Sequence, residues 1–193
     1  GFLILTYSLI DWRIYLWINM IIWFTGMSGA GKSTLAKNLR NVLEKSGFSV
    51  HRLDGDVIRK SQNISNSFSK VEILENNYMI IDACTKLLST YDFILVSVIS
   101  PFTETREHAL KILKDKYFEI YVKCSRDELV RRDTKGLYKK AINNEIVTLI
   151  SFSKLSPYEE PTQPRLIIQT DITSPERSLN LIVSKLRKLN HIK

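Results

Sequence analysis

FTGMSGAGKSTL, residues 24–35, is the stretch whose reading decides the fold. It contains Gly26-x-x-x-x-Gly31-Lys32-Ser33, with the apolar run IIWF (21–24) before it and a helical pattern after it. A glycine-rich turn with this spacing between a strand and a helix is a P-loop in the context that makes the match credible. The glycines permit backbone angles that aim successive N–H groups at one point, and the following helix adds its positive N-terminal end. Gly26, Ser28, Gly29, Ala30, Gly31, Lys32, Ser33 and Thr34 are therefore expected to cradle the phosphates of ATP or GTP. Within that set Lys32 is expected to reach the β- and γ-phosphates and Ser33 to ligate Mg²⁺. The cradle leaves the reaction open, because P-loops serve kinases, GTPases and motors.

Outward from the loop, short apolar runs alternate with longer helical patterns. VHRL (50–53), FILVSV (93–98), FEIYV (118–122) and LIIQ (166–169) join IIWF as expected buried strands. Helices are expected at 32–46, 70–89, 104–115, 126–132 and 175–189, the last with Ser174 as N-cap and Pro175 at its first position. This alternation implies an α/β, three-layer P-loop fold: a mainly parallel five-stranded sheet with helices on both faces. Catalytic groups then belong at the carboxyl ends of the strands. Residues 135–164 break the rhythm, being polar with three prolines, and are expected to form a mobile lid.

The 193 residues suffice for one such domain, and 44% hydrophobic with 25% charged residues is ordinary for a globular chain. The formal net charge of +8 suits anionic ligands, but no base-reading motif supports a nucleic-acid partner. Cys84 and Cys124 have no metal-ligand spacing and read as free thiols of a reducing, cytoplasmic compartment. The aromatic and aliphatic residues 1–19 are split by Asp11 and Arg13 into runs of about ten, short of the ~20 that a spanning helix needs. They are expected to form an extension outside a catalytic domain at 20–193, with Met20 a candidate natural start.

Leu53-Asp54-Gly55-Asp56 closes the second expected strand and delivers two carboxylates to the active edge of the sheet. A carboxylate there can accept the proton of an attacking hydroxyl while Mg²⁺ and basic side chains neutralise the transferring phosphoryl. A plain turn before a helix would read the same way.

With WFTGMSGAGKSTLA, the pair resembles the adenylylsulfate (APS) kinase family. The resemblance runs along nearly all of residues 21–171, through ISP (99–101), RRDTKGLYKKA (131–141), SPYEEP (156–161) and QTD (169–171). It implies transfer of phosphate from MgATP to the 3′-hydroxyl of adenosine 5′-phosphosulfate. It also implies Asp56 as base or orienter beside Lys32, with Asp54 in the acceptor site. Arg59 would face the acceptor's phosphate, and Phe68 with Phe152 would sandwich its base. Asn76, Ile99, Ser100 and Lys135 fall on further acceptor-site positions, and Arg132 on the family's donor-side arginine. The family often dimerises, so a homodimer is part of what the resemblance implies.

The departures are concentrated on the acceptor side. Val57 stands where the family has Asn, and arginines expected at Ile73, Tyr78 and Met79 are absent. A hydrogen bond to a charged group is worth roughly 1.5–3 kcal/mol, so one lost contact weakens a phosphosulfate acceptor about ten- to a hundred-fold unless another base compensates. In one reading Arg106, Lys60 or Lys70 supplies that charge. In another, the acceptor is a related, less anionic nucleotide, as in relatives that phosphorylate cytidine diphosphoramidate for capsule modification. A nucleotide-binding regulatory protein without catalysis stands last, because Lys32, Ser33, Asp54 and Asp56 are all present.

Overall fold

The computed structural model describes residues 19–55, 57–58, 69–145, 149–150, 157–189 and 191–192. Five strands, β1 (Met20–Thr25), β2 (Val50–Asp54), β3 (Phe93–Ser97), β4 (Tyr117–Lys123) and β5 (Leu166–Gln169), form one sheet in the order β2-β3-β1-β4-β5. Every neighbouring pair is parallel. The expected strands are all present, with ends shifted by a residue or so.

Side-chain alternation builds the three layers. In β1, Met20, Ile22 and Phe24 pack on one face with Leu35, Leu39 and Leu43 of α1 (Lys32–Lys45) and Ile182 and Leu186 of α6 (Pro175–Lys188). Ile21 and Trp23 point the other way, against Ile80, Ile81 and Cys84 of α2 (Lys70–Leu87) and Ala109 and Leu113 of α3 (Thr103–Leu113). All six residues of β1 are buried, as a central parallel strand requires. Ser174 caps α6 by accepting the Arg177 N–H, and Pro175 opens the helix as the sequence indicates. Ser69 and Glu72 close a reciprocal capping box on α2.

Between β4 and β5 lie α4 (Arg126–Arg132) and α5 (Leu137–Ile142). The polar stretch from 135 is thus not loop throughout. Asp133 accepts the N–H groups of Tyr138 and Lys139 at 3.0 Å each and so starts α5, while Gly136 supplies the left-handed turn at φ +66°. At its far end the stretch is tied down as well. The Glu159 N–H donates to the Pro101 carbonyl at 2.8 Å, and the Tyr158 hydroxyl lies 3.0 Å from that of Thr25. No helix among the described residues is long and apolar enough to cross a membrane.

Candidate active site

The carboxyl edge of the sheet opens into a cleft of about 540 Å³. It is lined by Ser28, Gly29 and Gly31–Thr34 of the glycine loop, by Asn76, Ile99 and Ser100, and by Arg132 and Lys135. Residues that the sequence places far apart thus share one cavity. Gly26 and Ala30 are not on its lining. Gly26 has φ +151°, and a Cβ there would stand 2.3 Å from the Val122 carbonyl oxygen, so the turn out of β1 admits only glycine.

Lys32 is buried, and its ammonium donates to the carbonyls of Gly26 and Met27 at 2.8 Å each. The Ser33 hydroxyl donates to Asp54 Oδ2 at 2.7 Å, and Arg52 lies 3.8 Å from the same oxygen. Ser97 is opposite Asp54 in the β2–β3 register and lines the cleft, and its buried hydroxyl has no hydrogen-bond partner among the described residues. The sequence reading missed Ser97, whose only signal is its place at the end of a strand.

Ser100 is buried with φ +48°, unusual for a residue with a side chain. Its hydroxyl donates to Asn77 Oδ1 at 2.7 Å and its carbonyl accepts from Arg106 at 2.7 Å. Asn76 lines the cleft and is only 5% exposed, and its amide oxygen is unsatisfied among the described residues. Ile73 and Ile150 line the cleft beside it and form an apolar cluster with Phe102.

Arg106 does not supply the missing acceptor-side charge. It is 5% exposed, donates to the Ser100 and Glu159 carbonyls at 2.7 Å each, and lies 3.3 Å from Glu119. Its guanidinium is consumed in holding the cleft floor. Lys70 pairs with Glu104 at 3.5 Å and lies over the Phe102 ring. Asp56, Arg59, Lys60, Phe68 and Phe152 lie outside the described residues.

Arg132 donates to Glu128 at 2.8 Å and to the Thr170 hydroxyl at 3.2 Å. Hydrogen bonds from Arg131 and Arg132 pull the Glu128 carboxyl down to about 2, so it stays ionised. Glu128, Arg131, Thr170 and Thr173 also line the cleft and were not among the expected site residues.

The adenylylsulphate kinase family matches residues 18–169. The adenylyl-sulfate kinase of Chloroflexus aurantiacus is 39% identical over 173 residues, covering 89% of this chain and 91% of that protein. That of Prochlorococcus marinus is 41% identical over 176 residues, covering 91% and 87%. The Mycobacterium tuberculosis APS kinase CysC, solved in complex with AMPPNP and APS, superposes with a TM-score of 0.77 at 33% identity. It covers 87% of this chain and 97% of that one. A glycine loop running into Lys32 and Ser33, with Asn76, Ile99 and Ser100 on the same cleft, agrees with that kinship, and the chain belongs to the adenylylsulphate kinase family of phosphotransferases.

Proposed function

We propose that this chain transfers the γ-phosphoryl group of MgATP to the 3′-hydroxyl of adenosine 5′-phosphosulfate, giving 3′-phosphoadenosine 5′-phosphosulfate. The observation that carries this reading is the single cleft joining the phosphate cradle to Asn76, Ile99 and Ser100. The likeness to a structure holding AMPPNP and APS supports the same pair of ligands.

Phosphoryl transfer is mostly positioning and charge neutralisation. Lys32 exchanges the Gly26 and Met27 carbonyls for phosphate oxygens when the triphosphate enters. The Ser33 hydroxyl and Asp54 carboxylate, 2.7 Å apart, are hard oxygen donors suited to Mg²⁺, with the Ser97 hydroxyl, unpartnered among the described residues, near the same strand end. Mg²⁺ held there supplies neutralisation of the charge that develops on the transferring group. Asp56, two residues past Asp54, is the proposed acceptor or orienter of the hydroxyl proton. Arg132 serves the donor nucleotide, while Lys135, Arg59, Phe68 and Phe152 serve the acceptor. We carry the homodimer as the proposed assembly, measurable by light scattering.

A second reading has its own observation. Ile73 and Ile150 make part of the cleft wall apolar, and Arg106 is committed elsewhere, which favours a less anionic nucleotide such as cytidine diphosphoramidate. Coupled ADP release, measured with MgATP against APS, cytidine diphosphoramidate and other small nucleotides, separates the two. Turnover with APS that is lost in Asp56→Asn is the expected result. Turnover only in mixtures without APS overturns it.

A further inference from the structure

The cradle works only if its N–H groups point at the phosphates, and two hydroxyls from distant parts of the chain set that direction. The Tyr138 hydroxyl donates to the Ser28 carbonyl at 2.7 Å, and the Thr170 hydroxyl donates to the Ala30 carbonyl at 2.8 Å. The chain has no cis peptide bond among its described residues, and across a planar trans peptide the carbonyl and the next N–H point in opposite directions. Fixing the Ser28 oxygen therefore fixes the Gly29 N–H, and fixing the Ala30 oxygen fixes the Gly31 N–H. Both glycines line the cleft. Neither N–H donates to another backbone or side-chain group among the described residues, so both remain available to a ligand.

The tethers are needed because these two peptides are the soft ones. Gly29 and Gly31 have φ of +77° and +101°, and glycine opposes no rotation of its own. Lys32 orients the carbonyls of Gly26 and Met27 from inside the loop. Tyr138, 2% exposed and absent from the cleft lining, approaches from behind. Thr170 approaches from the end of β5, where the same oxygen accepts from Arg132.

We infer that Tyr138 and Thr170 are positioning residues for the phosphate cradle, presetting the Gly29 and Gly31 N–H groups before the donor nucleotide arrives. Both act through the loop, without touching the reacting atoms. The inference rests on the P-loop binding a nucleoside triphosphate, as the proposed function holds, and does not depend on which acceptor is used.

The test compares Tyr138→Phe, Thr170→Val and Thr170→Ser with the parent chain. Binding of the non-hydrolysable analogue AMPPNP with Mg²⁺ is measured by calorimetry, and KM for ATP and for the acceptor by ADP release. Tyr138→Phe and Thr170→Val are expected to weaken AMPPNP by about three- to ten-fold, the worth of one neutral hydrogen bond. KM for ATP rises in step, KM for the acceptor stays unchanged, and Thr170→Ser restores parental values. Competition by inorganic tripolyphosphate, which has no base, weakens by a similar factor. This separates the cradle from the Arg132 contact that Thr170 also makes. A lower melting temperature with unchanged AMPPNP affinity in Tyr138→Phe and Thr170→Val overturns the inference, as does an equal rise in both KM values. If Thr170→Val does not fold, Tyr138→Phe decides alone. Calorimetry needs no acceptor, so absence of turnover on every acceptor would count against the proposed function and leave this inference to its own result.

Discussion

At the scale of the residue, Gly26 and Gly29 show how unequal two identical letters of the glycine loop are. A Cβ on Gly26 would sit 2.3 Å from the Val122 carbonyl oxygen, and that oxygen belongs to β4, which is hydrogen-bonded to β1. Backbone on both sides cannot give way. The nearest atom to a Cβ on Gly29 is 3.7 Å away, so only its positive φ resists substitution. Gly26→Ala is therefore expected to destabilise by at least about 2 kcal/mol. Gly29→Ala costs about 1–2 kcal/mol, the ordinary penalty for a side chain in the left-handed region. Urea unfolding of the two variants checks the order, and an equal loss in both would refute the steric account of Gly26. The spacing of the glycines is visible in the sequence, but their different reasons are not. The oxygen that excludes a side chain at Gly26 comes from a residue 96 positions away by number, Val122.

At the scale of the element, α3 begins without a side-chain cap of its own, because its N-cap residue is Phe102. Glu159 fills that role from beyond the α5 region, accepting the Thr103 N–H at 2.6 Å. A carboxylate at a helix N-terminus is favoured by the unpaired N–H groups and the dipole. The Thr103 backbone N–H, then its hydroxyl, holds the Glu159 carboxyl below its ordinary value of 4.5. The folded state thus binds this proton more weakly than the unfolded one. The stabilisation is complete above the unfolded value and disappears as pH falls through the lower folded value. Glu159→Gln should accordingly melt below the parent at neutral pH and match it at the acid end of a pH series. A constant difference across the series would sink the capping account. Elements of this chain were legible where burial imposes a period: all five strands and the five longer helical patterns follow the alternation of apolar runs. α5 was not, because its start depends on Asp133 accepting two N–H groups inside a polar stretch that reads as loop. Partnerships such as Tyr138 with Ser28 or Thr170 with Ala30 join residues over a hundred positions apart, and no local pattern encodes them.

At the scale of the whole molecule, Arg106 joins parts that the sheet alone would leave separate. Its guanidinium holds the Ser100 carbonyl in the cleft floor, the Glu159 carbonyl beyond the α5 region, and the Glu119 carboxylate on β4. The sequence offered Arg106 as replacement charge for the acceptor because an exposed and a buried arginine are written with the same letter. Burial and its partners decide otherwise. Burial raises the Glu119 carboxyl, and the Arg106 guanidinium 3.3 Å away offsets only part of that rise, so each group depends on the other for compensation inside the fold. Removing one partner leaves the other uncompensated, whereas replacing both with apolar groups is often nearly neutral. Arg106→Met is therefore expected to cost about 3–5 kcal/mol in urea unfolding. The pair Arg106→Met with Glu119→Leu should recover more than half of that loss, since no unpaired charge then remains in the core. The double variant should still show a raised KM for the acceptor, because Ser100, strained at φ +48°, has lost the donor that fixes its carbonyl beside Asn76 and Asn77. Recovery of stability without recovery of acceptor binding would show one side chain serving the fold through Glu119 and the site through Ser100. Recovery of both would reduce Arg106 to a structural ion pair.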